Sequence, residues 1–341
     1  SYLFRYPFRN YVESHGGKQE VPIIDDFVCE KTTAWSGLGV IDILSSTLDI
    51  SEEQRLDLRN WYERHQSYYR VVTNKGQISE VLNILNDKPY KVRISADKNQ
   101  FEVGTVVLGS LVPWNGEWYW SGMQYKHTLN NITEETLQEQ KDALLRKFPE
   151  ITYRYCNELA EKAKQANALQ YHEFTQYHNN DLVIYPNGLS MAVDRQKEIH
   201  LQWESKPKDV ITKAINEHKL KGQWPDMPFP RELLDSETGV GVYYNPDEGT
   251  EIMTGFNNIV SGLNKKGTNL NEEEEESIRS FIWSDSISPK FVRRLTQEYG
   301  SESIEAAFLI RGSHDESHVD YLLRRYKGAY YRRRYPRITL V

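Results

Sequence analysis

Apolar and polar positions alternate with a period of two through the second quarter of the chain. Tyr90, Val92 and Ile94 alternate with Lys91, Arg93 and Ser95, the pattern of a half-buried strand. Residues 101–112 continue with Val-rich segments, bent at Gly104 and Gly109. Asn115-Gly116 stands between Trp114 and the run Glu117-Trp118-Tyr119-Trp120; both turn residues tolerate positive φ, so the pair predicts a two-residue hairpin. Several short strands within residues 77–127 predict a small, strongly bent antiparallel unit, SH3-like in size and turn spacing.

Helical signals flank it. Ser51 followed by Gln54 forms a capping box ahead of Leu56, Leu58, Trp61 and Tyr62, which makes the opening segment helical. Thr133 caps a second helix whose first turn carries Glu134 and Glu135 and whose apolar side is Leu137, Ala143, Leu144 and Leu145. Pro149 ends it, and an Ala- and Glu-rich helix is expected over 151–174. The stretch 181–262 is mixed. Strands are predicted at 181–185, ending in the turn Pro186-Asn187-Gly188, and at 238–244. Helices are predicted at 208–218 and 249–262, with a Trp/Pro-rich loop at 223–230. Residues 265–267 read as a linker. Residues 270–327 read as short helices, started by Asn271 with its five following Glu and by Ser288-Pro289, and stopped at Gly300. Phe291, Val292 and Leu295, then Phe308, Leu309, Leu322 and Leu323, form their apolar side. The last ten residues read as extended. The expected class is α+β in four segments: a mostly helical 1–76, a small antiparallel β unit at 77–130, a mixed α/β unit at 131–264, and a helical subdomain with a basic tail at 265–341.

Composition narrows the class. A chain of 341 residues with 22 Tyr, 11 Phe and 8 Trp can bury a large apolar area, so global disorder is not expected. Mean hydropathy is −0.69, and no run approaches the roughly 20 apolar residues of a membrane helix. The opening residues, SYLFRYPFRNY, contain no apolar signal region. Cys29 and Cys156 are the only cysteines, too few for a disulfide scaffold or a multi-cysteine zinc site. They are not expected to bond to each other, which fits a reducing, cytoplasmic setting. Net charge is −7 and the pI is near 5.8, which opposes a wholesale nucleic-acid coat while leaving room for a local basic patch.

Two features suggest binding. The tail from residue 321 carries +7 against −7 overall, hence −14 elsewhere, and it interleaves tyrosines. If it is extended, Arg332 and Arg334 share one side and could follow a phosphate backbone while Tyr331 stacks a base. The competing reading is a structural latch onto acidic side chains. Trp118 and Trp120 share one face of the hairpin, either as a binding platform for a peptide, a base or a methylated cation or as the core of a small barrel.

The remaining motifs read as structure. His314-Asp-Glu-Ser-His318 lacks the order of a zinc protease helix and has no third ligand. Gly239-Val-Gly241 lacks the third glycine and following helix of a dinucleotide fold. Cys156 is expected to be buried within a helix, and the Glu272–Glu276 run reads as a solvated first turn. No phosphate loop or nucleophile elbow occurs. The leading expectation is a non-enzymatic binding module using Trp118, Trp120, Tyr331, Arg332 and Arg334, with a protein or single-stranded nucleic acid as partner, no membrane, no cofactor and no metal. The alternative is a hydrolase or transferase whose site is assembled from dispersed residues.

Overall fold

The computed structural model describes the chain except for residues 1, 19, 34–36, 95–100, 128–132, 148, 155, 219–226, 228, 311–315, 329, 333–334 and 336–341. It is an α+β protein with two compact units, one of residues 1–163 with 331–341, the other of residues 164–330.

The first unit opens with helices α1 (Tyr2–Ser14), α2 (Val21–Glu30), α3 (Val40–Thr47) and α4 (Glu52–Asn60). Ser51 caps α4 as expected: its Oγ accepts from the Gln54 amide at 3.2 Å, and the Gln54 side chain accepts from the Ser51 amide at 3.1 Å. Five strands follow: β1 (Gln66–Lys75), β2 (Ile78–Asn83), β3 (Pro89–Arg93), β4 (Val106–Trp114) and β5 (Glu117–His127). They close into a barrel in the order β1-β2-β3-β5-β4.

Two expectations are corrected here. The first strand begins at Gln66, inside the segment read as helical, because Ser67, Tyr69 and Val71 alternate inward while Tyr68 is buried on the outer face. The unit is also not wholly antiparallel, since β3 and β5 run parallel through Val92–Trp118 and Arg93–Tyr119. Five strands cannot close with every neighbour reversed, so at least one pair must run parallel. The predicted hairpin stands: Trp114 pairs with Glu117, and Asn115 and Gly116 take φ of 51° and 73°, the left-handed pair a type I′ turn requires. Helix α5 (Glu134–Lys147) and the 3₁₀ turn Pro149–Tyr153 cover the outside of the barrel, where Leu137 and Ile151 meet Tyr68, Leu85 and Val106.

Helix α6 (Asn157–His178) spans the boundary between the units. The second unit continues with β6 (Leu182–Tyr185), α7 (Gly188–Glu204), α8 (Lys208–His218), α9 (Arg231–Leu234), β7 (Val240–Asn245), β8 (Gly249–Thr254), α10 (Phe256–Asn264), α11 (Glu272–Trp283), α12 (Pro289–Tyr299), α13 (Glu302–Ala307) and α14 (His318–Lys327). The strands form an antiparallel sheet in the order β6-β7-β8. The helix expected over 249–262 is a strand up to Thr254. Every position of β7 is buried, and β8 supplies the second neighbour such a central strand needs.

The glycine pair in 239–241 has a packing cause. A Cβ on Gly241 would lie 2.4 Å from the Phe256 ring, so glycine lets α10 close onto the sheet. The helical reading of 270–327 is realised. Asn271 and Ser288 cap α11 and α12, Gly300 follows α12 with φ 86°, and Phe291, Val292 and Leu295 are fully buried. Among the described residues no helix is long and apolar enough to cross a membrane.

Candidate functional site

Strand alternation puts Trp118 and Trp120 on one face of β5, and that face is the barrel lumen. Trp118 meets the Tyr90 ring edge-on at 4.8 Å, and Trp120 meets Tyr69 at 5.4 Å and Phe101 at 6.0 Å. Between them Tyr119 points outward and donates to Glu117, which also takes the Arg93 guanidinium. Trp114 packs on Trp61, away from the lumen. In the tail, Tyr331 is 51% exposed within the 3₁₀ turn Tyr330–Arg332; the Arg332 side chain and all of Arg334 lie outside the described residues. Nearer the start of the basic stretch, Arg324 pairs with Glu316, and Lys327 donates to the Ser284 carbonyl from a buried position.

His318 pairs with Glu305 at 3.1 Å, while His314 lies outside the described residues. No group of three His, Cys, Asp or Glu suited to a metal occurs among the described residues. Both cysteines are free thiols. Cys156 is half-buried ahead of α6, a correction to the expected buried helical position, because the 3₁₀ turn before it delays the helix to Asn157.

Helix α7 was not anticipated, and its sidedness is reversed. Its inner face carries Met191, Arg195 and Glu198, with Glu198 1% and Arg195 7% exposed. Glu198 accepts from His178 Nε2 at 3.1 Å, from Gln202 at 2.9 Å and from Arg195. Asp194 accepts from the Tyr177 and Tyr185 hydroxyls at 3.1 and 2.8 Å. Burial, then this bond to Asp194, holds the Tyr185 hydroxyl proton far above the usual phenol range. The Arg195 guanidinium lies 5.1 Å over the Phe174 ring. Each charge in this network has a partner, so it is a structural clamp joining α6, β6 and α7.

The outer face of α7 is mixed, with exposed apolar side chains standing among Lys197 and Glu204. Leu189, Val193 and Leu201 are 59%, 70% and 47% exposed, and they recur at helical spacing opposite the buried charges. Val193 and Leu201, with Ala192, Met227, Phe229 and Leu234, border a groove of about 680 Å³. Its polar positions are Gln196, Lys197, His200 and Glu204, and Gln196 contacts His200 at 2.8 Å. Sequence reasoning missed it because the leucines and valine of this helix do not mark its core side.

A second cluster lies at one mouth of the barrel. His65, Ser67 and Tyr69 follow the inward alternation of β1, Tyr69 faces Asn83 across the sheet, and Val81 faces Tyr90. Ser67 Oγ donates to Asn83 Oδ1 at 2.7 Å, which also takes the Leu85 amide at 3.0 Å. His65 Nδ1 lies 3.0 Å from the Glu63 carbonyl. A carbonyl only accepts, so Nδ1 carries the proton and Nε2 presents a lone pair. His65 Nε2 is buried with no hydrogen-bond partner among the described residues, and the buried Tyr90 hydroxyl meets the Asn83 side chain. Burial first, then the Arg154 cation, pulls the His65 imidazole down to about 3.

Comparison of the chain with protein-family models, with curated proteins and with solved structures finds no match.

Proposed function

We propose that this protein is a non-enzymatic docking module whose recognition surface is the outer face of α7, and that the occupant is an amphipathic helix of a protein partner. The observation that supports the reading is the inverted helix: α7 buries an Arg–Glu pair and turns Leu189, Val193 and Leu201 to solvent. Desolvating an ion pair costs several kcal/mol per ion before the partners are matched, and burying a Leu or Val side chain returns roughly 1.5–3 kcal/mol. Covering the outer face returns the apolar term, while the Arg195–Glu198 pair stays buried with or without a partner.

The groove suits a helix. The 17 residues of α7 extend about 25 Å, and its exposed apolar side chains are spaced like the anchors of a helix-in-groove contact. Lys197 and Glu204 at the groove offer opposite charges, which suits a partner helix carrying an acid and a base two turns apart. The SH3-like reading of the barrel belongs to the same proposal. There Trp118 and Trp120 supply core packing, and recognition falls to the second unit. The partner in this reading is a protein rather than a nucleic acid.

The test is a fluorescence-anisotropy titration of the full chain with a labelled amphipathic helix that carries leucines along one face and charges set for Lys197 and Glu204. Saturable binding, lost when the peptide leucines become alanines, supports the reading. No binding, or equal binding of the alanine peptide, removes it. Sedimentation velocity is run in parallel: a dimer abolished by Val193→Asp would make the occupant a second copy of this chain and overturn the partner-helix reading.

A further inference from the structure

We propose that β8 is an acceptor edge for one added strand, and that the occupant is an extended, basic segment of a partner protein. In the three-stranded sheet β8 has a strand on one side only, β7. The register decides which of its backbone groups are taken. The Tyr244 N–H donates to the Asp181 carbonyl at 2.8 Å, so Val240, Val242 and Tyr244 turn their peptide groups to β6. Gly241, Tyr243 and Asn245 turn theirs to β8, where they face Met253, Glu251 and Gly249. The N–H and carbonyl groups of Thr250, Ile252 and Thr254 therefore point off the sheet, and both threonines are exposed. Among the described residues none of these backbone groups has a hydrogen-bond partner. Lysine or proline often blunts such an edge, and β8 carries neither.

The end of the edge selects the occupant. Thr254 closes β8 and also lines a pocket of about 500 Å³ formed with α9, α10 and α11. Glu232 from α9 and Glu273 and Glu276 from α11 bring three carboxylates to it, Ser277 and Ser280 add hydroxyls, and no Lys, Arg or His stands among its lining residues. The cations near these acids in sequence are committed elsewhere: Arg231 to Asp235, Lys265 to Glu274 and Arg279 to Glu275. A backbone ladder supplies affinity with little sequence preference, and the carboxylates supply the preference, for a Lys or Arg where the added strand meets Thr254. Both pairings in this sheet are antiparallel. An added strand that continues the pattern runs against β8, which puts its basic residues at its N-terminal end. This edge is separate from the outer face of α7 and does not rest on the reading given to that helix.

The test titrates the full chain with a fluorescent peptide of two lysines followed by alternating Thr and Val. Two further peptides are N-methylated on one or the other alternate set of backbone nitrogens. The readouts are fluorescence anisotropy and amide hydrogen exchange at Ile252. The expected results are saturable binding, slowed exchange at Ile252 in the complex, and loss of binding in at least one methylated peptide. Glu273→Gln with Glu276→Gln, both at exposed positions, should weaken binding about threefold to tenfold by removing two solvent-exposed ion pairs. The proposal is overturned if the peptide does not bind, if both methylated peptides bind as well as the parent peptide, or if glutamates in place of its lysines leave affinity unchanged. An Ile252 amide already protected in the free chain also overturns it, and protection that fades on dilution would make the occupant a second copy of this chain.

Discussion

Acidification should unfold the barrel unit by way of His65. The side chain is 4% exposed, and its imidazole is held neutral down to about 3, against 6.5 when free. The sign follows from proton uptake: below 6.5 the unfolded chain binds a proton at His65 that the folded chain refuses, so stability falls with pH until about 3 is reached. Taking 6.5 and about 3 as the two endpoints, the loss is about 2 kcal/mol at pH 5 and about 3 kcal/mol at pH 4, out of about 5 kcal/mol over the whole interval. Small domains hold only about 5–15 kcal/mol in total, so the effect is large enough to measure. Urea melts at neutral and acidic pH, followed by the fluorescence of the barrel tryptophans, give the difference, and His65→Asn should flatten the pH slope. Imidazole ¹⁵N shifts give the titration directly. A His65 signal that titrates near 6.5, or a urea midpoint unchanged between pH 7 and 5, would refute the reasoning.

Other expectations concern stability. Glu198→Ala leaves Arg195 and His178 without their buried acceptor and should cost about 3–5 kcal/mol, whereas replacing Arg195 and Glu198 together by Met should cost far less; paired thermal melts separate the two. Gly241→Ala forces a methyl into the Phe256 ring and should cost roughly 1–3 kcal/mol in a urea melt. Ser288→Ala removes the acceptor for the Phe291 amide at 3.1 Å and should cost about 1 kcal/mol, read as a lower Tm.

The legible parts of this fold are those whose signals are local. The Asn115-Gly116 turn, the caps at Ser51, Asn271 and Ser288, and the stop at Gly300 each rest on the backbone needs of one or two residues, and each is realised. The parts that stayed hidden depend on distant partners. Strand β8 reads as helix until β7 is seen to need a neighbour, and β1 reads as the end of a helical segment until the barrel closes on it. Trp118 and Trp120 could be assigned a shared face but not a destination, since a lumen and a binding platform have the same alternation. Helix α7 was illegible for a different reason. Its buried stripe carries Arg195 and Glu198 beside Met191, and its exposed side carries Leu189, Val193 and Leu201 among charges, so the rule that finds helices by their apolar side gives no clear direction. The contact of Asn83 with Tyr90 inside the barrel likewise joins positions on different strands, β2 and β3, which no local signal links.

The inverted face of α7 is tested most directly by charging it. In Val193→Asp with Leu201→Asp both replaced side chains lie on the exposed side, 70% and 47% accessible, so the folded chain loses little packing and the Tm should fall by no more than a few degrees. Affinity for the amphipathic helix should fall more than about tenfold, the equivalent of about 1.4 kcal/mol. Retained stability with lost binding is the predicted result. Unchanged affinity, or a Tm that collapses because the face belongs to the core of the fold, would contradict the account.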